Sequence, residues 1–381
     1  KKLFPHQCGI GISSGCDCII HACRRAHELS MAIVTIDFAN AFNTIRRHHI
    51  WTAIQTYLPE LSHFFRWSYG MNAALVLKNG TCIDSQTGAR QGDPLGSLYF
   101  SVAIQPMLLD IAKKFPSVEI MSYLDDGHLI GPVEDCLKAY ESLREASFDL
   151  GLTLNSNKSK LLNKVTDVDL LNRFVFKPSI AEDGLMVLGV PIGSDAYVEK
   201  TMYTLLSEKN KIIDHLQEMD PRLALPILAS CVNVRPLYLL KFVSPRLTLP
   251  TNTFDTAVDH CLSVLSDFDP SWFPHHSRKI RHLPIKKGGL GIRRMEFIHR
   301  PAYLSSFMKA CNMIHQACPN FYLRFANNTA ESQYISQLLR QLIEPNTPRP
   351  ESDEFLNLYH ENNKPYLMSS LSSIIDDATI L

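Results

Sequence analysis

Three carboxylates carry the most chemical promise in this sequence. Asp37 closes the apolar run MAIVTID (31–37), and Asp125 and Asp126 stand side by side before Gly127. Acids held close together where water is scarce raise each other's pKa, because each charge disfavours the next. A divalent cation removes that cost, and Mg2+ takes carboxylate oxygens together with substrate phosphates. Two such ions can activate an attacking hydroxyl and stabilise a departing pyrophosphate. The competing reading is structural. Asp-Gly is ordinary hairpin chemistry, so Asp125-Asp126-Gly127 taken alone reads first as a polar turn.

The elements that would position these acids are legible around them. Residues 31–37 read as a strand. Residues 39–57 then place Ala41, Phe42, Ile45, Ile50, Ile54 and Tyr57 at near-helical spacing. Residues 73–78 and 81–84 flank Asn79-Gly80, a hairpin signal. Residues 97–115 form a long apolar helix, 120–124 and 128–131 two strands joined across Asp125-Asp126-Gly127, and 134–150 a helix stopped near Gly151. Residues 185–192 read as a further strand. Mixed strands and helices with antiparallel hairpins put this half in the α+β class. Beyond it the spacing predicts helices over 198–219, 222–242, 251–267 and 302–343.

The 381 residues hold 38 basic and 38 acidic side chains, a net charge of zero, with 45% hydrophobic residues. That composition excludes a largely disordered or collagen-like chain. No stretch of eighteen apolar residues runs without a charge, so no membrane-spanning helix, and no membrane partner, is expected. Cys16, Cys18, Cys23 and His21 lack the usual CxxC spacing of zinc sites, and small buried thiols are the better reading. The zero charge is an average of opposed parts. Residues 278–300 carry eight bases to one acid, while the chain from Glu344 carries seven acids to two bases. The basic stretch suits a phosphate backbone, and the acidic one reads as a loosely ordered tail.

Five motifs in order give these residues a context. TIDFANAFNTI (35–45), ARQGDPLGSLYF (89–100), YLDD (123–126), LGLTLNSNKSK (150–160) and VLGVPIG (187–193) resemble, in sequence and spacing, the palm motifs of reverse transcriptases, most closely those of non-LTR (LINE-type) retrotransposons. The resemblance is firm over 6–195 and looser over 196–310, where LPIKKGGLGIRRMEF (283–297) is similar to a segment found after the thumb. It implies a right-hand polymerase: a palm of antiparallel sheet with packed helices behind it and the aspartates on its open face, followed by a helical thumb and a helical extension. In those terms residues 1–30 are the end of the fingers, 31–195 the palm, 196–270 the thumb, 271–343 the basic extension and 344–381 the tail.

The resemblance also implies roles. Asp37, Asp125 and Asp126, with the Phe38 carbonyl, would hold two Mg2+ ions, for which Mn2+ can substitute. Phe42 would lie under the sugar and exclude a ribose 2′-OH. Arg90, Gln91 and Gly92 would border the incoming nucleotide, glycine allowing close backbone approach. Lys158, with Lys160 as its rival, would support departure of pyrophosphate. Leu188 and Gly189 would grip the primer end, and Arg278, Lys279, Arg281, Lys286, Lys287, Arg293 and Arg294 would bind nucleic acid. The expected activity is RNA-directed DNA polymerase, with an RNA template, a DNA primer or target DNA, and dNTPs as partners, acting in the nucleus or cytoplasm. Gly96 stands where the family motif usually has Ser. The basic fingers residues of the family lie upstream of the region matching 7–26, so activity of this polypeptide by itself is not implied by the resemblance. No zinc-knuckle spacing or second acidic cluster is readable in 300–381. An RNA-dependent RNA polymerase is disfavoured by Phe42 and by YLDD in place of GDD. A nucleotidyl cyclase leaves RQGDPLGS and the basic second half unexplained. A decayed or domesticated palm that only binds RNA is the non-enzymatic alternative, and the complete aspartate set argues against it.

Overall fold

The protein is described here by a computed structural model covering residues 3–164, 168–266, 281–318, 333–335 and 337–338. It divides into two compact units, Lys1–Leu188 with Asn312–Phe325, and Gly189–Cys311 with Ala326–Leu381.

The first unit runs α1 (Gly15–Glu28), β1 (Ala32–Ile36), α2 (Ala41–Thr44), α3 (Arg47–Tyr57), α4 (Ser62–Tyr69), β2 (Ala73–Val76), β3 (Cys82–Ser85), α5 (Gly96–Lys114), β4 (Glu119–Tyr123), β5 (Asp126–Gly131), α6 (Val133–Asp149), β6 (Lys160–Leu162), α7 (Val168–Asn172), β7 (Ser179–Ala181) and β8 (Gly184–Val187). This is the expected α+β class. Five strands form one sheet in the order β4-β5-β1-β6-β7. Its pairs are antiparallel except β6 with β7, which run parallel. The three-residue strands β6 and β7 carry no alternating pattern long enough to be read from sequence.

β1 occupies the centre because its β-branched run suits a strand covered on both faces. The adjacent residues Ile33 and Val34 point to opposite faces and are both fully buried. Val34 and Ile36 join Leu129 in a core with Tyr99, Phe100 and Ile104 of α5 and Leu137, Tyr140 and Leu143 of α6. Each such side chain contributes about 1.5–3 kcal/mol on burial. On the other side α1 packs against β1, β4 and β5. It does so through a buried stripe of Cys18, Ile19, Ala22, Cys23 and Ala26 at helical spacing. Residues 15–28, part of the stretch 1–30 expected as the end of the fingers, thus lie against this sheet. The sheet centre is not an open face; the aspartates occupy its end instead.

Three local readings need correction. The helix expected over 39–57 is two, α2 and α3, broken where Ile45 turns extended at ψ 132. The strand expected over 185–192 is interrupted at Leu188 and Gly189, whose φ angles are 47° and 79°. The β4–β5 turn is tighter than Asp125-Asp126-Gly127. Tyr123 pairs with Asp126, so only Leu124 and Asp125 form the loop, and Asp126 and Gly127 belong to β5.

The second unit is mostly helical among the described residues: β9 (Val190–Gly193), α8 (Asp195–Leu216), α9 (Pro221–Ile227), α10 (Arg235–Leu240), α11 (Thr251–Ser266) and α12 (Met295–Ala317), whose last residues from Asn312 count with the first unit. Ser194 caps α8 by accepting the Tyr197 N–H. Asp255 of α11 accepts the N–H groups of Met295 and Glu296 at 2.8 and 3.0 Å, satisfying the first turn of α12. The helix expected over 222–242 is divided by a π-helical turn at Leu228–Val232. Pro221–Leu240 is long and apolar enough to cross a membrane by length and composition alone. Ala224, Leu228, Val232, Leu239 and Leu240 are buried inside the unit, which suits a core helix better. The stretches 267–280 and 339–381, including the expected acidic tail, lie outside the described residues.

Candidate active site

The three acids meet because of strand order. β1 and β5 are antiparallel neighbours, so the exit of one adjoins the entry of the other, and Ile36 pairs with Gly127. Asp37 follows the last residue of β1, Asp126 opens β5, and Asp125 is the second residue of the β4–β5 turn. All three stand at one end of the sheet.

Their charges interact. Desolvation raises the Asp125 carboxyl above its ordinary range, and Asp37 adds to the rise. Asp126 is pushed up to about 6, by desolvation first and then by Asp125 and Asp37. The Asp126 side chain still touches water, and that contact screens part of the repulsion. Such mutual repulsion is what a bound cation would relieve.

The donors gathered here are hard oxygens, the kind that divalent cations such as Mg2+ take, although among the described residues no group of three or more His, Cys, Asp and Glu side chains stands arranged to hold a metal ion. Mg2+ is commonly held by one or two carboxylates with the remaining positions left to water and substrate phosphates. Phe38 and Leu154 form an isolated antiparallel bridge. Its bonds run from Ala39 N–H to Thr153 O and from Asn155 N–H to Asp37 O, so the Phe38 carbonyl is not consumed by it.

Asp37 is fixed through its backbone. Its N–H donates to Ser159 Oγ at 3.1 Å, and its carbonyl accepts from Asn155 at 2.8 Å. The segment 153–159 therefore braces the β1 exit. Lys158 is exposed in the turn between them, where its N–H donates to Asn155 O at 3.2 Å. Lys160 lies in β6 opposite Thr35.

The loop 87–95 is tied to the segment after Asp37. Ala89 N–H donates to Phe42 O at 2.7 Å, and Gly88 N–H to Ile45 O at 2.8 Å. Phe42 stacks on Phe100, with ring centroids 4.7 Å apart. Arg90 lays its guanidinium over the Tyr69 ring, 4.7 Å from the centroid, while its N–H donates to the Tyr69 hydroxyl at 2.9 Å. That hydroxyl donates in turn to Asp93 at 2.6 Å. Burial, with the Asp93 bond and charge, pushes the phenol up to about 12. Arg47 ties the loop from the other side, donating to the carbonyls of Ser85, Thr87 and Gly88. Gln91 and Gly92 stay exposed. Gly92 has φ +87° and open space around it, so glycine is required there by backbone conformation and leaves the turn accessible.

Gln7, Arg47, Tyr69 and Ser159 were not singled out from sequence, although Gln7 opens the QCGIG run (7–11) of the region similar to the family. The other expected residues are placed differently. Leu188 and Gly189 form the positive-φ turn between β8 and β9. Arg281 pairs with Asp259 at 2.8 Å, and Arg294 lies 3.8 Å from Asp255 and 3.5 Å from Glu296. These two cations are partly spent inside the second unit. Lys286 is exposed, Lys287 and Arg293 half-buried. Arg278 and Lys279 lie outside the described residues.

Comparison with known proteins agrees with the motifs. The 132 kDa protein of the retrotransposable element SLACS from Trypanosoma brucei gambiense is 25% identical over 331 residues, covering 79% of this chain and 26% of that protein. An uncharacterized 149 kDa protein of transposon TX1 from Xenopus laevis is 23% identical over 302 residues, covering 72% and 22%. The chain thus spans about a quarter of the length of these relatives. Among solved structures, telomerase from Candida albicans in complex with a fragment of telomeric RNA overlaps at a TM-score of 0.46, with 9% identity, covering 94% of this chain and 56% of that one. Apo telomerase from Candida tropicalis overlaps at 0.37, with 11% identity, covering 94% and 56%. The family model for reverse transcriptase (RNA-dependent DNA polymerase) matches residues 2–192, half of the chain and all five motifs to within a residue of the last. The chain belongs to the reverse transcriptase family.

Proposed function

We propose that this chain is the polymerase part of a non-LTR retrotransposon reverse transcriptase, which joins a primer 3′-OH to the α-phosphate of a dNTP on an RNA template. The observation that carries this reading is the meeting of Asp37, Asp125 and Asp126 at one sheet end with charges that repel one another. Bound there, two Mg2+ ions would lower the pKa of the attacking hydroxyl and neutralise the leaving pyrophosphate. Asp37 and Asp125 would hold the ions, the Phe38 carbonyl would add one oxygen, and Asp126 would be a closer or weaker ligand.

The chain's other residues would bind and orient. Phe42, backed by Phe100, would occupy the space of a 2′-OH. Arg90, Gln91 and Gly92 would border the nucleotide. Lys158 would donate a proton or charge to pyrophosphate. Leu188 and Gly189 would hold the primer end. Arg278, Lys279, Arg281, Lys286, Lys287, Arg293 and Arg294 would meet nucleic-acid phosphates. Residues 31–195 would be palm, 196–270 thumb and 271–343 an extension. Primer extension with dNTPs, Mg2+, a DNA primer and an RNA template tests this reading. A polymer made only from rNTPs would point instead to an RNA-synthesising enzyme.

A further inference from the structure

The hairpin that carries two of the acids has an unfavourable backbone. Leu124, the first of its two loop residues, has φ +57°. Hairpins of this length usually place glycine, Asn or Asp at such a position, and a bulky residue there is strained. Something outside the hairpin must hold it.

Residues 6–9 run beside β4 and do so. Ser122 N–H donates to His6 O, and Cys8 N–H donates to Ser122 O, both at 2.7 Å, which fixes the register of this segment on the strand. Between them Gln7 is fully buried. Its Oε1 accepts the Leu124 N–H at 2.8 Å, and its Nε2 donates to the Leu124 carbonyl at 3.0 Å. One side-chain amide thus takes both polar groups of one backbone residue, 117 positions away. Oε1 also accepts the Gly9 N–H at 3.0 Å, which orients the amide. Gly9 itself lies against the turn: a Cβ there would stand 2.8 Å from the Leu124 nitrogen.

We propose that Gln7 is a positioning residue for nucleotide addition: its amide clamps Leu124 in the left-handed conformation and so sets where Asp125 and Asp126 stand. This rests on the reading of those aspartates, with Asp37, as the metal-holding catalytic residues. Gln7 touches neither carboxylate; it acts through the backbone between them and β4.

Gln7→Met removes both bonds to Leu124 and the one from Gly9 with little change of volume, and Gln7→Glu keeps the acceptor but loses the donor. In the full chain, Gln7→Met is expected to lower kcat for dNTP addition about a hundredfold, with KM for dNTP changed less than about twofold. Mn2+ affinity, titrated by electron paramagnetic resonance, should fall about tenfold. Amide exchange of the peptide 119–128, followed by mass spectrometry, should speed up at Leu124. Gln7→Glu should fall between. Adding Leu124→Gly to Gln7→Met should recover kcat at least about tenfold, since glycine takes positive φ without steric cost. Wild-type kcat, Mn2+ affinity and Leu124 protection in both Gln7 variants would overturn the proposal, as would a lower melting temperature with those three unmoved. If Gln7→Met does not fold, Gln7→Glu decides by the same readouts. If the full-length protein that contains this chain makes no DNA, the polymerase reading fails separately, and exchange with Mn2+ affinity still decides whether Gln7 clamps the turn.

Discussion

Ser159 holds Asp37 from behind: its hydroxyl oxygen, fully buried, accepts the Asp37 backbone N–H at 3.1 Å. The bond joins the fourth motif to the first at the point where β1 ends. Ser159→Ala leaves that N–H without its acceptor. The expected loss is about 1–2 kcal/mol of stability, read as a lower urea midpoint. A fall in kcat should accompany it, because Asp37 loses one of its two backbone anchors. Unchanged stability and kcat would show that the bond does nothing.

Two pH effects follow from the charged groups. Metal binding at the aspartates requires their ionised forms. Because the Asp126 carboxyl is raised to about 6, Mg2+ affinity should climb as pH rises through that value and weaken below it. Calorimetric Mg2+ titration between pH 5 and 8 reads this. Asp126→Asn should flatten the profile, and a flat wild-type profile would contradict the assignment.

His128 acts on stability instead. It is fully buried in β5, and burial lowers its pKa to about 4, the bond to Met121 O notwithstanding. The unfolded chain takes up the proton near 6.5, where the folded chain refuses it. His128 therefore contributes stability that is fully present above about 6.5 and is lost as pH falls toward 4. His128→Gln should make the melting temperature less sensitive to acid over that window. An equally steep acid decline in the variant would place the titrating group elsewhere.

The ring of Phe42 stacks on Phe100 4.7 Å away, which fixes where it sits. Phe42→Ala should lower discrimination against rNTPs at least about tenfold by removing the steric block, much as one buried group shifts specificity elsewhere. The comparison is kcat/KM for dNTP against rNTP. Unchanged sugar selectivity would refute the gate role and leave Phe42 as a packing residue.

Tyr69 joins Arg90 to Asp93 through one hydroxyl. Tyr69→Phe takes away the acceptor of the Arg90 N–H and the donor to Asp93 Oδ2, and should cost about 1–3 kcal/mol. The loop that would border the nucleotide then loosens, so KM for dNTP should rise more than kcat falls. The opposite split would mean that this network serves the chemical step.

Much of this arrangement was legible in the sequence because it is local. β1, β4, α5 and α6 follow from runs of apolar residues at strand or helix spacing, and the five motifs mark the acids. What was not legible is tertiary. Asp125-Asp126-Gly127 carries the turn signal, yet the positive φ falls on Leu124, held by Gln7 from the far end of the first unit. No local preference would place a leucine there. β6 is a strand only because β1 offers an edge to pair with, and β7 only because β6 does. Arg281 and Arg294 read as free charges in a basic stretch, but Asp259 and Asp255 on α11 face them in space.

The central claim is that Asp37, Asp125 and Asp126 act as one unit in metal-dependent DNA synthesis. Single-turnover extension of a DNA primer on an RNA template tests it most directly. Asp37→Asn and Asp125→Asn should each slow addition at least about a thousandfold, and the double variant should be hardly slower than either, since parts of one device fail together. Extension within about tenfold of wild type in either single variant, or losses that multiply in the double, would contradict the account.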